Sequence, residues 1–287
     1  MIMKKYLSFF AIVVFCLIVS SFEVHGQAKI NTKRLRIADL STHTVKVVMG
    51  GNEMIDGALR DEVSARWRIS PYEFCEAEEY KSIKENSDYY FLLLARSDEK
   101  KYRGLLTLTL MKGGSYDADD PMKRPVEVAS LPFCSASFPN GREMAFLPAL
   151  LDIIQDYASK AAISDKVGYA GFRIYSKRVM KAGNKRIIFC EDDLAPEMGA
   201  DFKRKYFDED MLIADERTVD GELTKGAYNT LVSYTVSPFD PGKGDVCYKM
   251  LIDAETHELF YFKHHTISLK KWAGFQPEDI RMIASPR

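Results

Sequence analysis

The stretch from Thr44 to Trp67, TVKVVMGGNEMIDGALRDEVSARW, runs from an apolar strand through two glycines into an amphipathic helix. Backbone N–H groups at such a helix start can hold a phosphate. Neither the GxxxxGKS/T spacing of a P-loop nor the GxGxxG dinucleotide fingerprint is present. Glu53 and Asp56 stand in the first helical turn, where carboxylates complement the helix dipole and repel a second anion. The corresponding later turn, Glu191-Asp192-Asp193, is more negative still. Tight strand-to-helix turns are the expectation, with no nucleotide and no other cofactor.

The remaining reactive residue types form no recognised constellation. Asp and Glu are dense from Glu191 to Glu222, and Asp117, Asp119 and Asp120 cluster earlier, but neither run has the alternating acids and sixth-position glycine of a calcium loop. His264 and His265 are adjacent on a predicted strand, so they face opposite sides and cannot share one metal, although either can meet His257 across a hairpin. No metal ligand set is assigned. There is no GxSxG, and PYEFC and LPFCSAS are ordinary apolar neighbourhoods for Cys75 and Cys134. No catalytic residue is assigned, and the binding residues stay unknown at this level. Tyr89-Tyr90, Phe260-Tyr261-Phe262 and Trp272 can form a carbohydrate or peptide platform, or the cross-strand pairs more usual for strand aromatics.

The elements that would position these groups follow from hydrophobic period. Val45 to Met49 reads as a strand, and Asn52 caps a helix whose Ile55, Leu59, Val63 and Trp67 recur every four residues. Pro71 to Asn86 reads as a second helix carrying Tyr72, Cys75, Tyr80 and Ile83. Asp88 to Ala95 is apolar on both faces, as in a covered sheet, and strands follow at Gly104 to Leu110 and Val126 to Phe133. The order returns later in the chain. Lys185 to Cys190 is a strand; Asp193 caps a helix through Leu194, Met198, Phe202 and Tyr206; Met211 to Asp215 is a short strand; Thr218 to Ala227 is helical. Tyr228 to Val236 and a hairpin of Val246 to Ile252 and Leu259 to Ile267 complete the copy. Between the copies, Met144 to Ile163 is a helix able to pack across both, after a turn at Asn140-Gly141.

The expected fold class is α/β (α+β): two similar β-α-β-α-β plus hairpin modules bridged by a helix, a tandem repeat. The expected boundaries are 1–26 for a leader, 27–140 for the first module, 141–183 for the bridging helix and linker, and 184–287 for the second module. Over Thr44 to Phe133 and Lys185 to Ile267, this order of elements resembles the α/β modules of TolB N-terminal, CsgG and LpoB-type bacterial envelope proteins. The leader resembles those of exported Bacteroidetes proteins. The resemblance implies accessory or scaffolding roles in the cell envelope without catalysis, and it carries over no functional residue.

The leader is read from Met1 to Gly26: Lys4 and Lys5, an apolar run from Leu7 to Phe22, then Val24-His25-Gly26 with small residues three and one before Gln27. The run is shorter than the roughly 20 residues of a spanning helix. Cleavage between Gly26 and Gln27 is therefore expected, giving a secreted chain, periplasmic or extracellular and soluble, with no stable membrane span after cleavage. Bulky Phe15 before Cys16 argues against a lipobox. Without the leader, 38 basic residues face 40 acidic ones, which gives no electrostatic reason for nucleic acid as a partner. Cys75, Cys134, Cys190 and Cys247 are far apart with no CxxC, and export leaves both disulfides and buried free thiols open.

The function expected from this reading is that of an exported non-catalytic envelope protein acting in protein-protein interaction or assembly, with an unknown envelope protein as partner. Its exposed edge would lie in Val246 to Ile267, with Lys263, Lys270 and Lys271 discouraging promiscuous pairing. The competing reading is a secreted hydrolase acting on glycan or peptide in a cleft between the modules; a small-ligand carrier is a third. An enzyme would gather several of Glu191, Asp192, Asp193, His257, His264 and His265 around one pocket, whereas scatter favours binding.

Overall fold

A computed structural model describes residues 32–96 and 99–285; the expected leader lies outside them. Two five-stranded mixed sheets are built on the same plan. The first contains β1 (Thr44–Met49), β2 (Tyr72–Glu76), β3 (Tyr89–Arg96), β4 (Leu105–Lys112) and β5 (Val126–Ser135), in the order β2-β1-β3-β4-β5. The second contains β6 (Arg186–Cys190), β7 (Met211–Ala214), β8 (Thr230–Val236), β9 (Val246–Asp253) and β10 (Leu259–Thr266), in the order β7-β6-β8-β9-β10. In each, three parallel strands lead into an antiparallel hairpin. The registers match as well: Val47 lies between Phe74 and Leu92, and Ile187 between Met211 and Leu231.

The described residues contain eight helices: α1 (Lys33–Ile37), α2 (Glu53–Arg66), α3 (Ala77–Ile83), α4 (Arg142–Ile163), α5 (Asp165–Ala170), α6 (Ala200–Tyr206), α7 (Glu216–Thr224) and α8 (Pro277–Ile283). Strand alternation sends Val45, Val47 and Met49 to one face of the first sheet, with Leu59 and Val63 of α2, and Val48 to the other, with Tyr80 and Ile83 of α3. In the second sheet, Ile188 and Cys190 pack with Val219 and Leu223 of α7, while Ile187 and Phe189 pack with Phe202 and Tyr206 of α6. One core joins the inner faces of both sheets, and Phe146, Leu150, Ile154 and Tyr157 of α4 run through it. The described residues thus form a single compact unit. None of their helices is long and apolar enough to cross a membrane.

Two elements differ from the expectation. Pro71 to Asn86 is not one helix: Tyr72–Glu76 is strand β2, paired in parallel with β1, and only Ala77–Ile83 is helical. The aromatic and thiol side chains of YEFCE suit a pleated edge, and burying Cys75 beside Val48 decides against helix. Likewise, Asp193 caps no helix. Glu191–Asp193 is a single 3-10 turn, Leu194 forms a parallel bridge with Phe275, and the helix begins only at Ala200. The chain's C-terminal part holds Leu194 in a bridge ahead of a turn closed by Met198 N on Ala195 O at 3.1 Å: Phe275 N donates to Asp193 O at 2.7 Å and Ala195 N to Phe275 O at 3.0 Å. Gly274, with φ +104°, permits that approach, since a Cβ there would lie 2.7 Å from Ala195 N.

Among the described residues the cysteines Cys75, Cys134, Cys190 and Cys247 are all buried and free. The β10 edge is partly covered: Arg178 Nη1 donates to Leu259 O at 3.4 Å, and Phe172 packs on Phe262 with ring centroids 5.3 Å apart.

Candidate functional site

In both sheets the chain leaves the first strand to one side and returns to the other, so the order reverses between β1 and β3 and again between β6 and β8. Open α/β sheets bind ligands in the crevice beyond the carboxyl ends of the strands at such a reversal. Each module has a hollow there. In the first module it measures about 540 Å³ and is walled by Met49, Ile55, Leu59, Leu93, Leu94 and Leu106, with Arg96 and Asp56 among its polar groups. In the second it measures about 270 Å³ and is lined by Arg142, Asp192, Asp193, Tyr234 and Thr235.

The Gly50-Gly51 turn is occupied by the chain itself. Asp56 accepts from Gly50 N at 2.8 Å through Oδ1 and from Gly51 N at 2.7 Å through Oδ2. Asn52 caps the helix by accepting from Ile55 N at 3.2 Å. The amides that a phosphate would need are thus bound to an internal carboxylate, which would also repel it.

The polar floor of the second hollow is a closed network. Arg142, the first residue of α4, donates from Nε to Asp220 at 3.0 Å, from Nη1 to Asp193 at 3.2 Å and from Nη2 to Ser233 O at 3.4 Å. Its guanidinium also lies over the rings of Phe146 and Tyr234, which stack with centroids 4.0 Å apart. Asp193 accepts further from Ser233 Oγ (2.5 Å), Thr235 Oγ1 (2.6 Å) and Thr235 N (3.1 Å). Burial alone would depress the Arg142 pKa, but the Asp193 and Asp220 carboxylates more than offset it and the net shift is upward. Burial raises Asp220, against the pull of Arg142. Burial also pushes the Cys134 thiol up to about 12, with the Glu143 charge adding to it. The Cys134 thiol is not activated as a nucleophile, because each cause disfavours the thiolate.

Above this floor the surface differs in character. Phe138, from the segment after β5, and Phe239, from the segment after β8, stack with centroids 4.7 Å apart while remaining 62% and 66% exposed. Phe239 N donates to Ser135 Oγ at 3.1 Å, fixing the pair across the seam between modules. A further hollow of about 480 Å³ shares Asp192, Pro238 and Phe239 with the second module's hollow and runs on past Glu191 to Trp272. The result is one groove edged by aromatic rings and carboxylates, with Lys203 paired to Glu191 at 3.2 Å.

The segment Ser135 to Asn140 separates the two crevices and lines both. Ser135, Phe138 and Asn140 face the second module's hollow, and Ala136 and Pro139 face the first's.

The histidines named from sequence do not join the acids. His257 Nδ1 lies 2.7 Å from Asp152 Oδ2, which also accepts from Arg66 Nη1 at 3.0 Å. His264 packs on Tyr248, and His265 Nε2 donates to Trp272 O at 2.8 Å. Asp192 and Asp193 line the seam hollow, and Glu191 lines its extension. Among the described residues, no group of three or more His, Cys, Asp or Glu is placed to hold a metal ion.

Arg142, Ser233, Thr235, Phe138, Phe239 and Arg96 do not stand out in the sequence as site residues. Two signals point to some of them: an arginine opening an apolar helix, against the dipole, needs acidic partners, and Ser-Phe-Pro-Asn (137–140) has a counterpart in Ser-Pro-Phe-Asp (237–240). Comparison with protein-family models, with curated proteins and with solved structures returns no match.

Proposed function

We propose that this chain is an exported component of a bacterial envelope that acts by binding another protein, in interaction or assembly, and that the partner seats on the seam groove. The observation that carries the reading is the Phe138–Phe239 pair: two large rings, one from each module, held in fixed stacking yet left mostly in water. Rigid exposed aromatics at the centre of a groove are the usual anchors of a protein interface, because they bury much area at little entropy cost. The surrounding Glu191, Asp192 and Glu216 favour a partner surface carrying lysine or arginine. Export is supported by the leader read in Met1 to Gly26.

The hydrolase reading draws less support. Asp193 is consumed by Arg142, Ser233 and Thr235, and the three histidines sit elsewhere. A photo-crosslinking residue placed at Phe239 tests the proposal in the native envelope. One discrete adduct is expected, lost when Phe138→Ala and Asp192→Lys are added. An adduct that persists in that variant, or none at all with the protein correctly exported, overturns it.

A further inference from the structure

The hollow of the first module has a different chemistry from the seam groove and a lining of its own. It is the larger of the two crevices, at about 540 Å³, within the range of small-molecule sites. Its walls are aliphatic: Met49 from β1, Ile55 and Leu59 from α2, Leu93 and Leu94 from β3, and Leu106 from β4. Leu93, Leu94 and Leu106 remain only partly buried, although they belong to the interior strands of the sheet. The second module's hollow, beyond its own strand ends, is smaller, and its floor is the polar Arg142 network.

One cationic side chain belongs to the first module's hollow. Arg96, the last residue of β3, donates from Nη2 to Ala136 O at 3.0 Å and makes no ion pair among the described residues. A guanidinium carries five donors in a planar fork that matches a carboxylate. The opposite side of the mouth is negative, with Asp56 spent on two amides and Glu53 one helical turn away. A single negative charge facing Arg96 is therefore favoured over a doubly charged phosphate.

The geometry points to a second binding site, in which the crevice between the ends of β1 and β3 takes an alkyl chain ending in a carboxylate. The chain lies against Leu59, Leu94 and Leu106, and the carboxylate meets Arg96. A free fatty acid has this chemistry. A hydrophobic peptide's C-terminus, whose carboxylate sits on a carbon that also bears an amide and a side chain, is the competing occupant that the test separates from it.

Isothermal titration of the purified chain with dodecanoate, dodecanol, dodecyl phosphate and N-acetyl-trileucine distinguishes these ligands. Saturable dodecanoate binding is expected, with dodecanol about tenfold weaker, since a charge-assisted hydrogen bond is lost. Arg96→Gln should bring dodecanoate down to the dodecanol level and leave dodecanol unchanged. Ala136→Phe, which extends a ring into the hollow from a loop, should abolish both. Equal binding of dodecanoate and dodecanol overturns the role of Arg96; tighter binding of dodecyl phosphate overturns the preference for one charge; tighter binding of the peptide assigns the site to chain ends. No saturable binding of any of the four removes the site. Should Ala136→Phe fail to fold, as judged by circular dichroism, the Arg96→Gln series alone confirms or overturns the site.

Discussion

Arg142 Nη1 and Asp193 Oδ1 are 3.2 Å apart, with both side chains almost wholly withdrawn from solvent. The pair ties the start of the bridging helix to the turn after β6, and Asp220 holds the same guanidinium from α7. Arg142→Met should strand the buried Asp193 carboxylate, with the partly buried Asp220 beside it, and cost about 3–5 kcal/mol, as seen when one partner of a buried pair is removed. A fall in the urea midpoint at unchanged slope measures it. Arg142→Lys should fall between, because an ammonium cannot reach Asp193, Asp220 and the Ser233 carbonyl as a fork does.

At the first strand-to-helix turn, Asp56→Ala should lower stability by about 1 kcal/mol, the usual cost of losing a side-chain cap. The wild-type amide resonances of Gly50 and Gly51 should stay fixed when phosphate is titrated in, because Asp56 already occupies both. Movement of either resonance at millimolar phosphate would show that the internal carboxylate can be displaced.

The thiols should be silent in the folded chain. Burial pushes Cys75, Cys190 and Cys247 up to about 11, and Cys134 up to about 12. Iodoacetamide at pH 8 should leave all four unmodified in native protein and label all four in guanidinium, read by peptide mass mapping.

Stability should fall on mild acidification. Burial, with the charge of Lys249 next, depresses both His264 and His265 below their ordinary value of 6.5. The unfolded chain then binds protons that the folded chain refuses, so their contribution is complete above about 6.5 and is lost as pH falls below it. A second loss should follow at lower pH. Asp279 is held below 3.8, because Lys249 and Tyr261 outweigh its burial, and its contribution goes as it protonates. Denaturation midpoints from pH 8 to pH 3 should show both steps, and His264→Gln with His265→Gln should flatten only the first.

Much of the architecture was legible in the residues. The period of Ile55, Leu59 and Val63, the cap at Asn52 and the continuous apolar run at β3 each report a local preference that the packed structure keeps. The duplication was legible from spacing, and the matched registers of Val47 and Ile187 show why: the same crossover lengths serve the same sheet order. What failed was decided by partners distant in sequence. Tyr72–Glu76 is a strand because β1 offers it an edge, and Leu194 stays out of a helix because it bridges Phe275. The crevices escaped for the same reason: their lining comes from segments more than 90 residues apart, such as Arg142 and Ser233, 91 positions distant.

The strip from Ser135 to Asn140 is fastened on both flanks, by Arg96 to the Ala136 carbonyl and by Phe239 to the Ser135 hydroxyl. A ligand that shifts this strip from the first module's hollow is expected to move Phe138, and a partner that shifts Phe138 is expected to move the hollow's mouth. Thermodynamic reciprocity would make those two influences equal in size, so fatty-acid titration with and without the seam partner should show the same fold-change in either affinity.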